Sequence, residues 1–219
     1  SSADVKPIRV DKDGFQIWRG IWGYGDAILP CKDSPVPGGK RYEFRSIAEP
    51  HLQRLHQLTG ETVHLGILRD NQVIYLDKVE GTQTVRMYSQ IGNASPVYCT
   101  GVGKAALSVL HESELSECLN SIQFHRYTDH TLMSVDEMRK AIAAIQKSGN
   151  SYDLEEHENG IRCVAAPIYS KDRKFVAGIS VTGPAYRVTM ERLKQWAAPV
   201  RETAFEIMDD MGARLGPRA

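Results

Sequence analysis

Two stretches with a two-residue period constrain the fold of this chain more than anything else in it. In "ETVHLGILRDNQVIYLDKVEG", Val63, Leu65 and Ile67 alternate with His64, Gly66 and Leu68. "RDNQ" supplies turn residues, and Val73 and Tyr75, followed by Asp77 and Val79, alternate again. "RCVAAPIYSKDRKFVAGISVTGP" repeats the plan around a charged turn. Successive side chains of a strand point to opposite faces, so each run predicts a hairpin. "TVRMYSQIG" reads as a further strand after the first one. Hairpins of this kind predict an antiparallel meander rather than alternating βαβ units.

Helical patterns surround the strands. "FRSIAEPHLQRLHQLTG" sets Ile47, Leu52, Leu55 and Leu58 near helical spacing. Gly60 ends this helix, and Pro50 sits in its first turn or bends it. "GVGKAALSVLHESELSECL" reads as helical with a break near residue 111. Ser134 and Glu137 form a capping-box pattern ahead of the stripe Met138, Ile142 and Ile145, and Gly149 ends that helix. In the last segment Met190, Leu193, Trp196 or Ala197, Val200, Ala204, Ile207, Met211 and Leu215 share a face, and Pro199 is expected to kink it. The order of elements predicts an α+β fold, one antiparallel sheet with helices packed on it.

Residues 1–43 read differently. "GFQIWRGIWGYGDAILPCKDSPVPGGK" is rich in Gly and Pro and follows neither period, so it is expected to be an irregular arm or linker ahead of a domain spanning 44–219. Composition narrows the function classes. Lys and Arg total 27 against 27 Asp and Glu, without the basic surplus of a DNA-binding domain. No run approaches the roughly 20 apolar residues of a membrane span, and no signal-peptide pattern opens the chain, so a cytoplasmic location is expected. Cys31, Cys99, Cys118 and Cys163 are scattered with no CxxC pair, which predicts reduced thiols.

Three segments could carry chemistry. "CTGVGKAAL" is neither a phosphate loop nor a dinucleotide fingerprint, because its glycines are two apart and Ala105 follows Lys104. It does offer a helix start that Thr100 can cap. There Gly101 and Gly103 would let a ligand approach amides that favour a carboxylate. The competing reading is tight helix–sheet packing with Lys104 in solvent. Cys99 as a nucleophile would need a base, for which His64, His111, His125, His130 and His157 are candidates by type only. "YDLEEHENGIRC" reads as a solvated acidic turn, as a hydroxyl acceptor at Asp153, or as a zinc site built from Cys99, Asp153, His157 and Cys163, although its spacing fits no zinc signature. Ser180 and Thr182 lie two apart, on one face of a strand.

Six segments in order, "LTGETVHLGIL", "VIYLDKVEG", "VRMYSQIG", "SPVYCTGVGKAAL", "DLEEHENGIRCVAAPI" and "GISVTGP", resemble the C-terminal effector-binding domain of the IclR family of bacterial transcription regulators, over residues 44–216. "TVRMYSQIG" looks nearest to members that answer to sugar acids such as 2-keto-3-deoxygluconate. The resemblance implies a GAF-like fold, an antiparallel sheet with helices on both faces, and a pocket for a small carboxylate effector, a sugar acid or keto acid. It places Ser95, Gly101, Val102, Gly103, Asp153, Ile161, Cys163, Ser180 and Thr182 in that pocket. It also implies a regulator, with repression the expected sense, and a homodimer or tetramer that uses no cofactor and is not an enzyme. Family members carry a winged helix-turn-helix, which residues 1–43 do not resemble. Operator DNA is therefore expected to be bound by a domain absent from this chain.

Overall fold

The computed structural model describes residues 9–10, 15–19, 26–30, 38–81 and 89–215, with side chains described for 44–81 and 89–212. In the stretch read as irregular, β1 (Arg9–Val10), β2 (Phe15–Arg19) and β3 (Asp26–Pro30) pair as a small antiparallel sheet. Strands of two to five residues between glycines give too few alternations for a period to show.

Helix α1 (Gly38–Thr59) starts earlier than expected, which puts Pro50 at mid-helix rather than in the first turn. Its buried stripe runs Phe44, Ile47, Ala48, His51, Leu52 and Leu55, and Leu58 falls off it at 63% exposed. Gly60, at φ 70°, ends the helix by donating its N–H to the His56 carbonyl at 2.7 Å.

The first hairpin joins β4 (Thr62–Arg69) to β5 (Gln72–Val79). Asp70 and Asn71 form its two-residue loop with φ of 47° and 58°. Short polar side chains tolerate that conformation, and the resulting turn matches strand twist. A bulge between Leu65 and Gly66 interrupts the β4–β5 register. The expected strand in "TVRMYSQIG" falls, up to residue 88, outside the described residues. After it come β6 (Ala94–Pro96), α2 (Gly101–Leu107), α3 (Glu112–Ser121), α4 (Val135–Ser148), β7 (Ser151–Leu154), β8 (Ile161–Tyr169), β9 (Val176–Pro184) and α5 (Met190–Leu215). The break expected near 111 separates α2 from α3. Ser134 caps α4 by accepting from the Glu137 N–H, and Gly149 closes it at φ 77°.

The six strands pair antiparallel in the order β6-β5-β4-β9-β8-β7. Alternation divides the two faces. Val63, Leu65 and Ile67 of β4, Ile179 and Val181 of β9, and Val164, Ala166 and Ile168 of β8 pack against α1 and α5, where Leu193, Trp196, Val200, Ala204, Ile207 and Met211 are buried. The opposite face meets α2, α3 and α4 through a second core that includes Val73, Val102, Leu107, Leu119, Met138 and Ile142. Helices therefore cover both faces of an α+β domain. No helix among the described residues is long and apolar enough to cross a membrane.

Candidate functional site

Glycines set the position of α2 against the sheet. Gly66 and Gly178 face each other across β4 and β9. A Cβ at either would stand 3.1 Å from Val102 Cγ1, so the first turn of α2 rests on a patch of bare backbone. Gly101 presses on β8, where a Cβ would come 2.4 Å from Cys163 Sγ. Thr100 locks the turn: its Oγ1 donates to the Pro96 carbonyl at 2.7 Å and accepts the Gly103 N–H at 3.2 Å.

Beside this turn lies a cavity of about 240 Å³. Gly101 and Val102 reach it from α2, Ser95 from β6, Asp153 from β7, Ile161 and Cys163 from β8, and Ser180 and Thr182 from β9. Gly103 does not. Its amide is taken by Thr100, and a Cβ there would run into the Val97 backbone, so it stands behind the lining rather than in it. The N–H groups of Gly101 and Val102 head the helix, where the first amides lack partners within it.

The cavity also gathers His157, a candidate zinc ligand by sequence, and residues that were given no binding role there: His64, Tyr75, Ser89, Gln90 and Asn93. Period two puts His64 on the same face as Gly66. Only the β4–β9 register, which sets His64 against Ser180, reveals that it joins the hydroxyls.

The β7–β8 turn that follows Asp153 is held from outside the cavity. Thr128 Oγ1 donates to the Glu155 carbonyl at 2.6 Å and Thr131 Oγ1 to the Glu156 carbonyl at 2.7 Å. Lys104, 3% exposed, places its Nζ 2.5 Å from both carboxylate oxygens of Glu156. Lys104 is therefore buried and paired, not solvated. Burial pushes the Glu156 carboxyl up from its ordinary range, and the Lys104 ammonium opposes it.

Among the described residues no Lys or Arg side chain lines the cavity, while Asp153 and Glu158 do. Burial pushes the Asp153 carboxyl up to about 7; the Glu156 N–H, 2.8 Å from Oδ1, acts against this and the Glu156 charge reinforces it. Burial, helped by Lys78, lowers His64 to about 3, which leaves the imidazole neutral. Burial raises Cys163 to about 12 and moves Cys99 upward as well, so neither thiol is activated as a nucleophile. Cys99 is packed in the α2–α4 core, and no group of three His, Cys, Asp or Glu side chains among the described residues is placed to hold a metal ion. The zinc arrangement of Cys99, Asp153, His157 and Cys163 is therefore not formed.

The Asp153 shift has a measurable consequence. A folded-state value above the unfolded one means that the native chain binds the extra proton, so this group's contribution to stability falls as pH rises from about 4 to about 7 and is flat above. Against Asp153→Asn, which keeps an acceptor for the Glu156 amide, the wild-type chain is expected to lose on the order of 2–4 kcal/mol across that window. Urea unfolding of both proteins from pH 4 to pH 8 checks it; parallel pH profiles contradict it.

Comparison with known proteins agrees with this architecture. The family model for the C-terminal domain of the bacterial transcriptional regulator IclR matches residues 40–209. The HTH-type transcriptional regulator KdgR of Escherichia coli is 32% identical over 165 residues, 75% of this chain and 63% of its own. The acetate operon repressor of Salmonella typhimurium is 39% identical over 164 residues, 74% of this chain and 60% of its own. The chain thus spans less than two thirds of the length of these curated relatives. The crystal structure of Thermotoga maritima IclR superposes with a TM-score of 0.74 at 35% identity, covering 81% of this chain and 76% of that one.

Proposed function

We propose a sensory role from one premise: this chain belongs to the IclR family of bacterial transcriptional regulators. Members of the family are regulators and not enzymes. In the proposed role the cavity takes a small carboxylate, a sugar acid or keto acid. The amides of Gly101 and Val102 and the Ser95 hydroxyl hold the carboxylate. Ser180, Thr182 and Asp153 meet its hydroxyl or carbonyl groups, and Ile161 and Cys163 form the wall. Operator DNA is met by a DNA-binding domain outside this chain, in a cytoplasmic homodimer or tetramer, and the sense is repression. The effector shifts the assembly by binding its arrangements unequally, typically by ~1–3 kcal/mol.

One observation carries this reading. A cavity of about 240 Å³ is lined by the helix-head residues Gly101 and Val102 and by the two buried hydroxyls of Ser180 and Thr182. That volume is below the roughly 300–1,000 Å³ of pockets for drug-sized ligands and suits a metabolite of a few carbons. Among the described lining residues, oriented amides and the helix dipole are what favour an anion.

Titration calorimetry with pyruvate, glyoxylate, D-gluconate and 2-keto-3-deoxy-D-gluconate tests it. At least one acid is expected to bind the wild-type chain, and Ser180→Ala/Thr182→Ala to weaken that acid about tenfold or more, the loss of one or two net hydrogen bonds. Equal affinity in both proteins would remove the hydroxyls from the site. Absence of binding by every acid would overturn the sensory reading.

A further inference from the structure

We infer that His64 is a specificity-determining residue of this cavity: it sets the hydrogen-bonding polarity of the β9 hydroxyls and so makes the site favour acids with a hydroxylated chain over plain keto acids. The inference rests on the cavity being the acid-binding site proposed above.

His64 is 3% exposed and has its ring in the cavity wall. Its Nε2 lies 2.6 Å from Ser89 Oγ, while Nδ1 is 3.4 Å from Thr182 Oγ1, which is in turn 3.4 Å from Ser180 Oγ. The ring leans on Tyr75 with centroids 5.0 Å apart. Lys78 Nζ donates to the Ser89 carbonyl at 3.1 Å, fixing Ser89 from behind and placing a cation near the imidazole. That cation and burial both disfavour a charged ring.

A neutral imidazole has one N–H and one lone pair, so its two sides cannot act alike. If Nε2 donates to Ser89, Nδ1 accepts from Thr182, whose oxygen is then free to accept. In the other tautomer Nδ1 donates to Thr182, whose hydroxyl hydrogen is then free to be given away. The Ser89 contact is short, whereas both contacts on the Thr182 side are long, so the spare hydrogen-bonding capacity lies at Thr182 and Ser180. A ligand hydroxyl, which both donates and accepts, can complete the chain in either direction. A keto oxygen only accepts and satisfies one direction. A site built to pair a hydroxyl discriminates against analogues lacking it, because its own polar groups are left unpaired.

The test is titration calorimetry of D-gluconate and pyruvate against wild type, His64→Leu and His64→Asn, the last retaining a donor and an acceptor close to Nδ1. Wild type is expected to prefer gluconate. His64→Leu should lose about tenfold or more for gluconate and less than about threefold for pyruvate, and His64→Asn should recover most of the loss. An equal loss for both acids marks a purely structural role and overturns the inference, as does no loss at all. Wild type binding pyruvate at least as tightly as gluconate overturns it while the acid-pocket reading stands. Wild type binding neither of these two acids overturns the inference, and the acid-pocket reading falls with it only when glyoxylate and 2-keto-3-deoxy-D-gluconate fail to bind as well. Thermal melting of each variant identifies one that does not fold, in which case the other decides.

Discussion

Lys104→Met is expected to cost about 3–5 kcal/mol of folding stability at pH 8, the usual penalty for stranding a buried charge. The ammonium touches both oxygens of Glu156, and each side chain is nearly enclosed. Methionine fills much the same space but leaves the carboxylate dry and unpaired. Glu156 can escape only by taking a proton. Its folded-state value is already raised by burial and would rise further without the cation, so the penalty should shrink as pH falls towards the unfolded value. Lys104→Met/Glu156→Leu should recover most of the loss, since a buried ion pair is often replaced by apolar residues at little cost. Guanidinium unfolding at pH 5 and pH 8 gives all three numbers. A single variant within 1 kcal/mol of wild type at pH 8 would show that water reaches the pair.

Gly103→Ala is the second large effect. The new Cβ would lie 2.4 Å from the Val97 carbonyl oxygen and 2.5 Å from Val97 Cα. Both are backbone atoms and cannot swing aside. Overpacking a tight site costs typically about 1–3 kcal/mol, and relief here requires the head of α2 to move off the turn that Thr100 holds. Ligand affinity should therefore drop about tenfold or more although Gly103 does not touch the cavity, because Gly101 and Val102 move with it. Gly60→Ala is the comparison. Nothing lies within 4 Å of its Cβ, and only the positive φ of 70° resists it, so about 1 kcal/mol is lost and binding is unchanged. Chemical unfolding and calorimetry on the two variants separate these outcomes.

The long elements were legible because their periods are long enough to read. The hairpin at 62–79, the Ser134 cap of α4 and the buried residues Leu193, Trp196, Val200, Ala204, Ile207 and Met211 of α5 stand where the pattern puts them, whereas Glu137 accepts from the Met133 N–H and Met190 is exposed. Strand β7 escaped because "SYDL" offers four residues before the acids begin. Within the cavity, Ser180, Thr182, Gly101 and Cys163 were reachable through strand alternation, glycine chemistry and family resemblance. His64 was not, since its role depends on which strand lies beside it. Lys104 misled for the same reason: its partner is 52 residues away, and no local pattern distinguishes such a lysine from one in water. Gly103 shows the opposite case. A glycine near a helix start suggests room for a ligand, but here the room is filled by Val97.

Between the cavity and the α1–α5 layer stands a partition one peptide thick. Ser180 and Thr182 open on one side of β9, while Ile179 and Val181, their covalent neighbours, are embedded on the other. Whatever tugs at those hydroxyls tugs at the seating of two long helices. In the proposed role the message needs no chain of intermediaries, only the stiffness of a single strand, like a drumhead struck on one skin and felt on the reverse.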